Sequence, residues 1–469
     1  MATIRTSFAV ALGKAAGRFS RSVGAGGGTT LPGAIARRLD PQVLRSLSAG
    51  LPHGVLLCAG TNGKTTTTRM IAEILRAHGE RVLHNRAGAN LIAGLTSTAL
   101  ADADWLARPR TTIGLFETDE AALPQAITET QPRLVLIHNL FRDQLDRYGE
   151  IDTIAGAWRA ALAVLPADAW VVLNADDPAV ADLGRDLTAQ VLYYGLDDAN
   201  QASGAAAHIA DSQFCRRCGH RFAYALAFYA HIGHYTCPQC GNRRPEPQVR
   251  LIRLDLQGTT GSRLYLSYPG GAIEIDLPLP GLYNALNGLA AFSIAHVLGI
   301  PPATARAALE RFSAAFGRIE RLTAGPAGAP LLIALIKNPV GASETVRMLT
   351  AGVAAESAEL HLMIAINDKY ADGTDVSWLW DADFEALAGR VASVVVGGTR
   401  AEDMAVRLKY AGLAVEHLTV ISELPGAIDR ALKSLPAGAT LYILPTYTAM
   451  LELRAELVRR SWARPFWEE

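Results

Sequence analysis

Residues 54–75 constrain this chain more than any other stretch. The apolar run Gly54-Val55-Leu56-Leu57-Cys58-Ala59 breaks into Gly60-Thr61-Asn62-Gly63-Lys64-Thr65-Thr66, and a helical repeat through Ile71, Ile74 and Leu75 follows. A strand apolar on both faces, a glycine turn and a helix form the opening of a parallel α/β unit. In such a turn the amides at the helix N-terminus surround phosphate oxygens, Lys64 reaches the β and γ groups of a nucleotide, and Thr65 can hold magnesium. Gly60, Thr61, Asn62, Gly63, Lys64, Thr65 and Thr66 are therefore the candidate ATP-binding loop. Cys58 stands where the strict Walker spacing has its first glycine. The plainer reading is an ordinary glycine turn, but Gly, Lys and Thr meeting at a strand-to-helix junction argues against it.

More strands of this type lie at residues 112–116, 134–137 and 170–174, separated by helical patterns, so the sheet is expected to be mostly parallel and doubly wound. Carboxylates at the C-terminal end of a parallel strand face the ligand crevice. Glu117, in Glu117-Thr118-Asp119-Glu120, is the candidate magnesium ligand, with a solvated acidic loop as the alternative. Asn139-Leu140-Phe141-Arg142-Asp143-Gln144-Leu145-Asp146-Arg147 is another strand end that turns charged; its Arg and Asp residues bind phosphate or carboxylate, or pair with each other.

Cys215-Arg216-Arg217-Cys218-Gly219 and Cys237-Pro238-Gln239-Cys240-Gly241 are two knuckles with 18 residues between the pairs. Four thiolates at this spacing make a closed tetrahedral zinc site, typical of a ribbon. No coordination position stays open, so the metal is expected to be structural and to contribute folding energy on the order of 10 kcal/mol. His220, His231 and His234 read as ordinary polar residues of the insert. Five cysteines in 469 residues are too few for a disulfide scaffold and point to the cytoplasm.

A net charge of -1 argues against a nucleic-acid-gripping protein. No apolar run approaches the roughly 20 residues of a membrane span. Residues 1–38 contain no acid, and Arg5, Lys14, Arg18 and Arg21 sit among apolar residues before the glycine-rich joint at 25–30. The preferred reading is a basic amphipathic helix that packs on the body or leans on an anionic membrane; a cleaved targeting signal is the weaker one, because Lys14 cuts the apolar stretch short. Alternating strands at 262–268 and 272–277, then Pro278-Leu279-Pro280-Gly281, lead into a helix from Asn284. A second α/β block starts near Leu322, with strands at 331–335, 360–366, 391–396 and 440–444. The expected domains are an N-terminal helical segment (1–50), an ATP-binding domain (51–320) carrying the ribbon (212–246), and a C-terminal α/β domain (321–469).

The phosphate loop, Glu117-x-Asp119-Glu120, Asn174-Ala175-Asp176-Asp177-Pro178, Gly281-Leu282-Tyr283-Asn284-Ala285-Leu286-Asn287 and Gly317-Arg318-Ile319-Glu320 occur in the order seen in the central domain of Mur ligases. The 139–146 segment, the four-cysteine insert, Lys337-Asn338-Pro339-Val340-Gly341 and Asn367-Asp368-x-x-x-Asp372-Gly373-x-Asp375-x-Ser377-Trp378 resemble one branch of them, the MurT family of synthetase subunits of lipid II isoglutaminyl synthase. Two positions depart from ordinary Mur ligases: Gln144 replaces a metal-associated His, and Lys337 replaces the His of the C-terminal motif. Only about 50 residues precede the phosphate loop, too few for a domain that reads a UDP-sugar.

The resemblance implies ATP-dependent amidation of the D-glutamate α-carboxylate of the lipid II stem peptide through an acyl phosphate. Asn284 and Asn287 would meet adenine, and Arg318 a phosphate or carboxylate. Cys58 is the one cysteine outside the knuckles and sits in a strand, so the chain is not its own glutaminase. The family's GatD-type glutaminase partner would supply ammonia, with Asp375 orienting the partner's His; Asp368, Asp372 and Asp381 compete for that role. The rival readings are a stand-alone Mur-type or folylpolyglutamate-type ligase that adds a whole amino acid, and a non-catalytic ATP-binding scaffold.

Overall fold

The computed structural model describes residues 4–22, 30–85, 89–141, 151–202, 212–313, 319–325, 328–351 and 359–463. Arg318 and residues 142–150, including Gln144, lie outside the described residues. The chain divides into two compact units, one built from residues 1–254, 263–277 and 284–312, the other from 255–262, 278–283 and 313–469.

The first unit is organised by a nine-stranded sheet in the order β11-β10-β9-β6-β5-β4-β1-β3-β2. Its strands are β1 (Val55–Ala59), β2 (Val82–His84), β3 (Ile113–Glu117), β4 (Leu134–Ile137), β5 (Trp170–Asn174), β6 (Gln190–Leu196), β9 (Val249–Leu256), β10 (Ser262–Tyr268) and β11 (Gly271–Leu277). From β2 across to β9 neighbouring strands run parallel. β1, β3 and β4 are buried at every position, as apolar runs covered on both faces must be. The chain moves from β1 to one side of the sheet (β2, β3) and then to the other (β4, β5). The C-terminal end of β1 is therefore the topological switch point, where an open α/β sheet leaves its ligand crevice. Between β6 and β9 the hairpin β7 (Ala223–Tyr229) and β8 (Ile232–Thr236) forms its own antiparallel sheet, the body of the cysteine insert.

The N-terminal segment forms the helix Ile4–Ser22, and Thr6 Oγ1 donates to Asp40 Oδ2 at 2.8 Å. Ala9 and Val10 are buried in the same core as Ala36, Leu95 and Leu100. Among the described residues no helix is long and apolar enough to cross a membrane.

The second unit holds a six-stranded sheet ordered β12-β13-β17-β14-β15-β16, with strands Glu320–Ala324, Ala329–Ile333, Leu441–Pro445, Leu360–Ala365, Val391–Gly397 and Leu418–Val420 in that order. Only the β12–β13 pair is antiparallel. Alternate residues of β14 feed two cores, Leu362 and Ile364 on one face and Met363 and Ala365 on the other. That two-residue alternation, apolar at every step, marks a strand sandwiched between helices. Glu320 pairs with Arg454 at 2.7 Å with both side chains nearly buried.

The helix Pro339–Ala351 carries a buried carboxyl, Glu344, against a small cavity lined by Leu256, Gly258, Gly281, Leu282, Arg347 and Met348. Burial pushes it up to about 7, and Arg347, 3.8 Å away, only partly opposes this. An acid whose folded value lies above its unfolded value keeps its full stability only below the unfolded value, near 4.5, and loses it as pH rises through 7. Glu344→Gln should therefore stabilise the fold by about 2 kcal/mol at pH 8 and by little at pH 4.5. Urea unfolding at the two pH values checks this; an equal effect at both would show that the carboxyl does not carry the cost.

Candidate nucleotide site and cysteine ribbon

The phosphate loop leaves the end of β1 with Gly60 at φ 135° and Gly63 at φ 84°, both in the left-handed region that side chains avoid. Space reinforces the requirement: a Cβ on Gly63 would lie 2.2 Å from Asn287 Oδ1. Gly63 caps the helix Lys64–Ala77 with no side-chain hydrogen bond, the arrangement of an anion-binding helix N-terminus. The loop is held from the end of β4. Asn62 N–H donates to Asn139 Oδ1 at 2.8 Å, Asn139 Nδ2 donates to Asn62 O at 3.0 Å, and Thr61 N–H donates to Asn139 O at 3.1 Å. Thr61 Oγ1 accepts from Phe141 N–H at 3.0 Å.

Lys64, 7% exposed, donates to Glu120 Oε1 at 2.8 Å and to its own loop at Thr61 O, 3.3 Å. Glu120 is 6% exposed, and its backbone carbonyl accepts from Trp158 Nε1 at 2.8 Å. Glu117 is paired in register with Cys58 across β1 and β3 and is 5% exposed. Its backbone is clamped on both sides by the Asn85 carboxamide, at 2.9 and 2.8 Å, while among the described residues no group donates to its carboxylate. Burial, then the Glu117 charge, push the Cys58 thiol well up while Lys64 opposes them, so all three lie within electrostatic reach of each other. A buried carboxylate without a donor, beside a phosphate loop whose Thr65 is half-buried at the helix start, is a donor set that suits a hard oxygen-seeking cation such as magnesium.

Asn284 and Asn287 lie in the helix Leu282–Val297, where Asn287 Nδ2 donates to Asn284 Oδ1 at 3.3 Å. Asn287 Oδ1 accepts from Thr67 Oγ1 at 3.2 Å, so this carboxamide braces the helix of the phosphate loop. His138, at the end of β4, also bonds to Asn287 and to Tyr194 Oη at 2.5 Å; burial pushes its imidazole down to about 4, so it is neutral. Sequence reasoning named neither His138 nor the Lys64–Glu120 pair. The strand-end rule that selected Glu117 also covers His138, one residue past β4; the lysine's choice of Glu120 follows from three-dimensional reach alone.

The four insert cysteines bring their sulfurs within 4.8 Å of one another, with Cys218 to Cys237 at 3.4 Å and Cys215 to Cys240 at 3.6 Å. The two knuckles match: Gly219 and Gly241 take φ 73° and 74° and donate to Cys215 O and Cys237 O at 2.8 and 3.0 Å. Four sulfurs at one point, held by repeated turns, fit a tetrahedral zinc.

The Asp176-Asp177 turn after β5 ties this insert to the sheet. Asp176 accepts from Arg244 Nε at 2.6 Å and from Leu196 N–H at 2.7 Å. Asp177 lies 3.1 Å from His231 Nε2, with both side chains fully buried, and also accepts from Leu140 N–H at 2.8 Å. The Phe141 ring packs on His231 at 4.7 Å. Hence a continuous chain of contacts joins the hairpin turn, through Asp177 and Phe141, to Thr61 of the phosphate loop. A depression of about 630 Å³ beside the insert is lined by Arg217, Arg243 and Arg244, but Arg217 and Arg244 are already paired with Asp182, Asp176 and Asp197. It offers little uncompensated charge to a ligand.

In the second unit, the four aspartates compared in the sequence fall into two engaged and two exposed ones. Asp368 is engaged by Arg400 and Thr399, both at 2.8 Å, and the buried Asp372 by the amide and hydroxyl of Thr448. Asp375 is exposed, and its carboxylate accepts from Ser377 N–H at 2.8 Å, which holds it below the usual carboxylate range. Asp381 is also exposed. Tyr370, Trp380 and Tyr410 of this unit are large exposed aromatics, with Trp380 and Tyr410 5.7 Å apart.

These folds are those of Mur ligases. A pseudomurein peptide ligase type C from Methanothermus fervidus superposes with a TM-score of 0.67 at 20% identity, over 90% of this chain and 81% of that one. Mycobacterium tuberculosis folylpolyglutamate synthase complexed with ADP gives 0.59 at 18% identity, over 90% and 93%. The Mur ligase middle domain model matches residues 58–229 and the MurT ligase C-terminal model residues 335–450.

Subunit MurT of lipid II isoglutaminyl synthase (glutamine-hydrolyzing) from Staphylococcus aureus (strain N315) is 33% identical over 96% of this chain and 97% of its own length. Its Streptococcus pneumoniae (strain ATCC BAA-255 / R6) counterpart is 35% identical over 97% and 98%. The chain belongs to the MurT family.

Proposed function

We propose that this chain is the synthetase subunit that amidates the D-glutamate α-carboxylate of the lipid II stem peptide to D-isoglutamine. The observation that carries the reading is the convergence of Lys64, Glu117 and an uncapped helix N-terminus at the switch point of the sheet, in a chain aligned end to end with MurT subunits. ATP would bind on residues 60–66, and Thr65 and Glu117 would hold magnesium, which would supply positive charge beside the transferring phosphoryl group. A carboxylate oxygen attacks the γ-phosphorus, ADP leaves, and an acyl phosphate forms. Ammonia then attacks the acyl carbon, expelling inorganic phosphate and releasing a proton to give the amide. Asn284 meets adenine, Asn287 secures the loop, and Arg318 binds phosphate or carboxylate.

Ammonia comes from a GatD-type glutaminase subunit in a heterodimer. Buried Cys58 is no nucleophile for glutamine, and the other four cysteines gather in one cluster suited to a metal. Asp375 reaches outward to orient the partner's His, and the exposed aromatics of the same unit favour a protein contact there. The substrate carries a lipid, so the enzyme works in the cytoplasm at the inner face of the plasma membrane.

Co-purification with the glutaminase, followed by mass spectrometry of lipid II after incubation with ATP and glutamine, tests the reading. A one-unit mass decrease supports it; addition of a whole residue supports the stand-alone ligase. Asp375→Asn should lower glutamine-driven amidation at least about tenfold, since a misoriented imidazole loses its tautomer. Ammonium-driven amidation by the same variant should persist. Equal loss with both nitrogen sources would assign Asp375 to the synthetase or the fold.

A further inference from the structure

We propose that the helix Ile4–Ser22 and the adjoining Trp105-Leu106 loop form a docking surface for an anionic bilayer. The inference deepens the proposed function by naming the surface that brings the enzyme to a lipid-bound substrate, and it rests on that reading only for its purpose.

The helix is apolar on two opposite faces. Thr6, Ala9, Val10, Gly13 and Gly17 are buried against the body. Small residues account for the close fit: a Cβ on Gly13 would lie 3.0 Å from Leu100 and from Pro32 O. On the opposite side Ile4 is 92% exposed, Phe8 58% and Leu12 39%. At 100° per residue Ile4, Phe8, Leu12 and Ala15 fall within about 80° of one another, Arg18 and Lys14 border one edge of that stripe, and Arg5 borders the other.

Trp105 and Leu106 extend the surface, 53% and 56% exposed. Lys14 Nζ and Arg18 Cζ sit 5.6 and 5.5 Å from the Trp105 ring, which ties the loop to the basic edge of the helix. Arg108 and Arg110 are exposed beside it. The neighbouring acids are largely spent on backbone: Asp104 accepts from Leu106 and Arg108 N–H, and Asp102 from Arg110 and Thr111 N–H.

A water-facing stripe of Ile, Phe and Leu is costly in solution, and a basic border with an interfacial tryptophan matches an anionic headgroup layer over hydrocarbon. The absence of acids through residue 38 removes the repulsion that would oppose that contact. Charge complementarity thus selects a lipid surface over a second copy of the same basic face.

The test uses the full chain and sucrose-loaded vesicles containing neither lipid II nor nucleotide. Vesicles of 30% phosphatidylglycerol in phosphatidylcholine should sediment the protein at low salt; pure phosphatidylcholine or about 0.5 M NaCl should release most of it. Phe8→Glu with Leu12→Glu should reduce the bound fraction at least tenfold. Trp105→Ala, which leaves the helix untouched, should reduce it severalfold, with circular dichroism unchanged in each variant. No binding of wild type to anionic vesicles, or equal binding by both variants, overturns the proposal. So does a finding that Phe8→Glu dissolves a homodimer or releases the glutaminase, because the face then belongs to a protein. Amidation of detergent-solubilised lipid II by Phe8→Glu reports separately on the proposed reaction.

Discussion

Lys64→Ala should abolish amidation with either glutamine or ammonium, lowering turnover by at least about 100-fold, because one preorganised contact to a transferring phosphoryl group is worth roughly 3 kcal/mol. The same change strands Glu120, 6% exposed, without its 2.8 Å partner, and an uncompensated buried carboxylate costs about 3–5 kcal/mol. Activity and stability must therefore be separated. The double variant Lys64→Ala, Glu120→Gln removes the orphaned charge; it should regain most of the lost thermal stability yet stay inactive, while still binding the glutaminase. Calorimetry, a coupled ADP assay and co-purification read the three quantities. Near-normal ADP release by Lys64→Ala would instead show that Lys64 does not act on the transferring phosphoryl group.

Removing zinc should have the second large effect, and it should extend to the nucleotide. Without metal the knuckles lose folding energy on the order of 10 kcal/mol. The hairpin then cannot present His231 to Asp177 or Arg244 to Asp176, two pairs whose carboxylates are completely buried. Through Asp177, Leu140 and Phe141 the disturbance reaches Thr61. We expect about one zinc per chain by elemental analysis, a fall in melting temperature of at least about 5 °C in Cys215→Ser, and ATP affinity reduced about tenfold. A chain that contains no zinc, or a serine variant with unchanged melting and ATP affinity, would reduce the ribbon to an ornament.

What was readable in the sequence was local. The phosphate loop is one strand, one turn and one helix within about 20 residues, and each cysteine knuckle occupies five. Their turns can be read without distant partners, although Asn139, 77 residues on, holds the loop in place. By contrast, Asn287 lies 220 residues from Thr67, and its bond to that hydroxyl became visible only when the sheet was assembled. His231 reads from the sequence as an ordinary polar residue of the insert, and its 3.1 Å approach to Asp177 depends on a hairpin docking that no periodicity encodes. The four aspartates of this C-terminal region look equivalent as letters; Arg400 and Thr448, distant in sequence, set Asp368 and Asp372 apart from Asp375 and Asp381. Arg318 lies outside the described residues.

The Lys64–Glu120 pair also shapes which polyanions the resting protein will accept. Its cation is already neutralised, so a bare phosphate that captured Lys64 would leave Glu120 alone in a dry setting, a penalty of several kcal/mol. A nucleotide escorted by a divalent ion brings positive charge for the abandoned carboxylate along with negative charge for the lysine. Under the proposed function, the pairing should therefore favour complexed nucleotide over free phosphate, sulfate and uncomplexed polyphosphate.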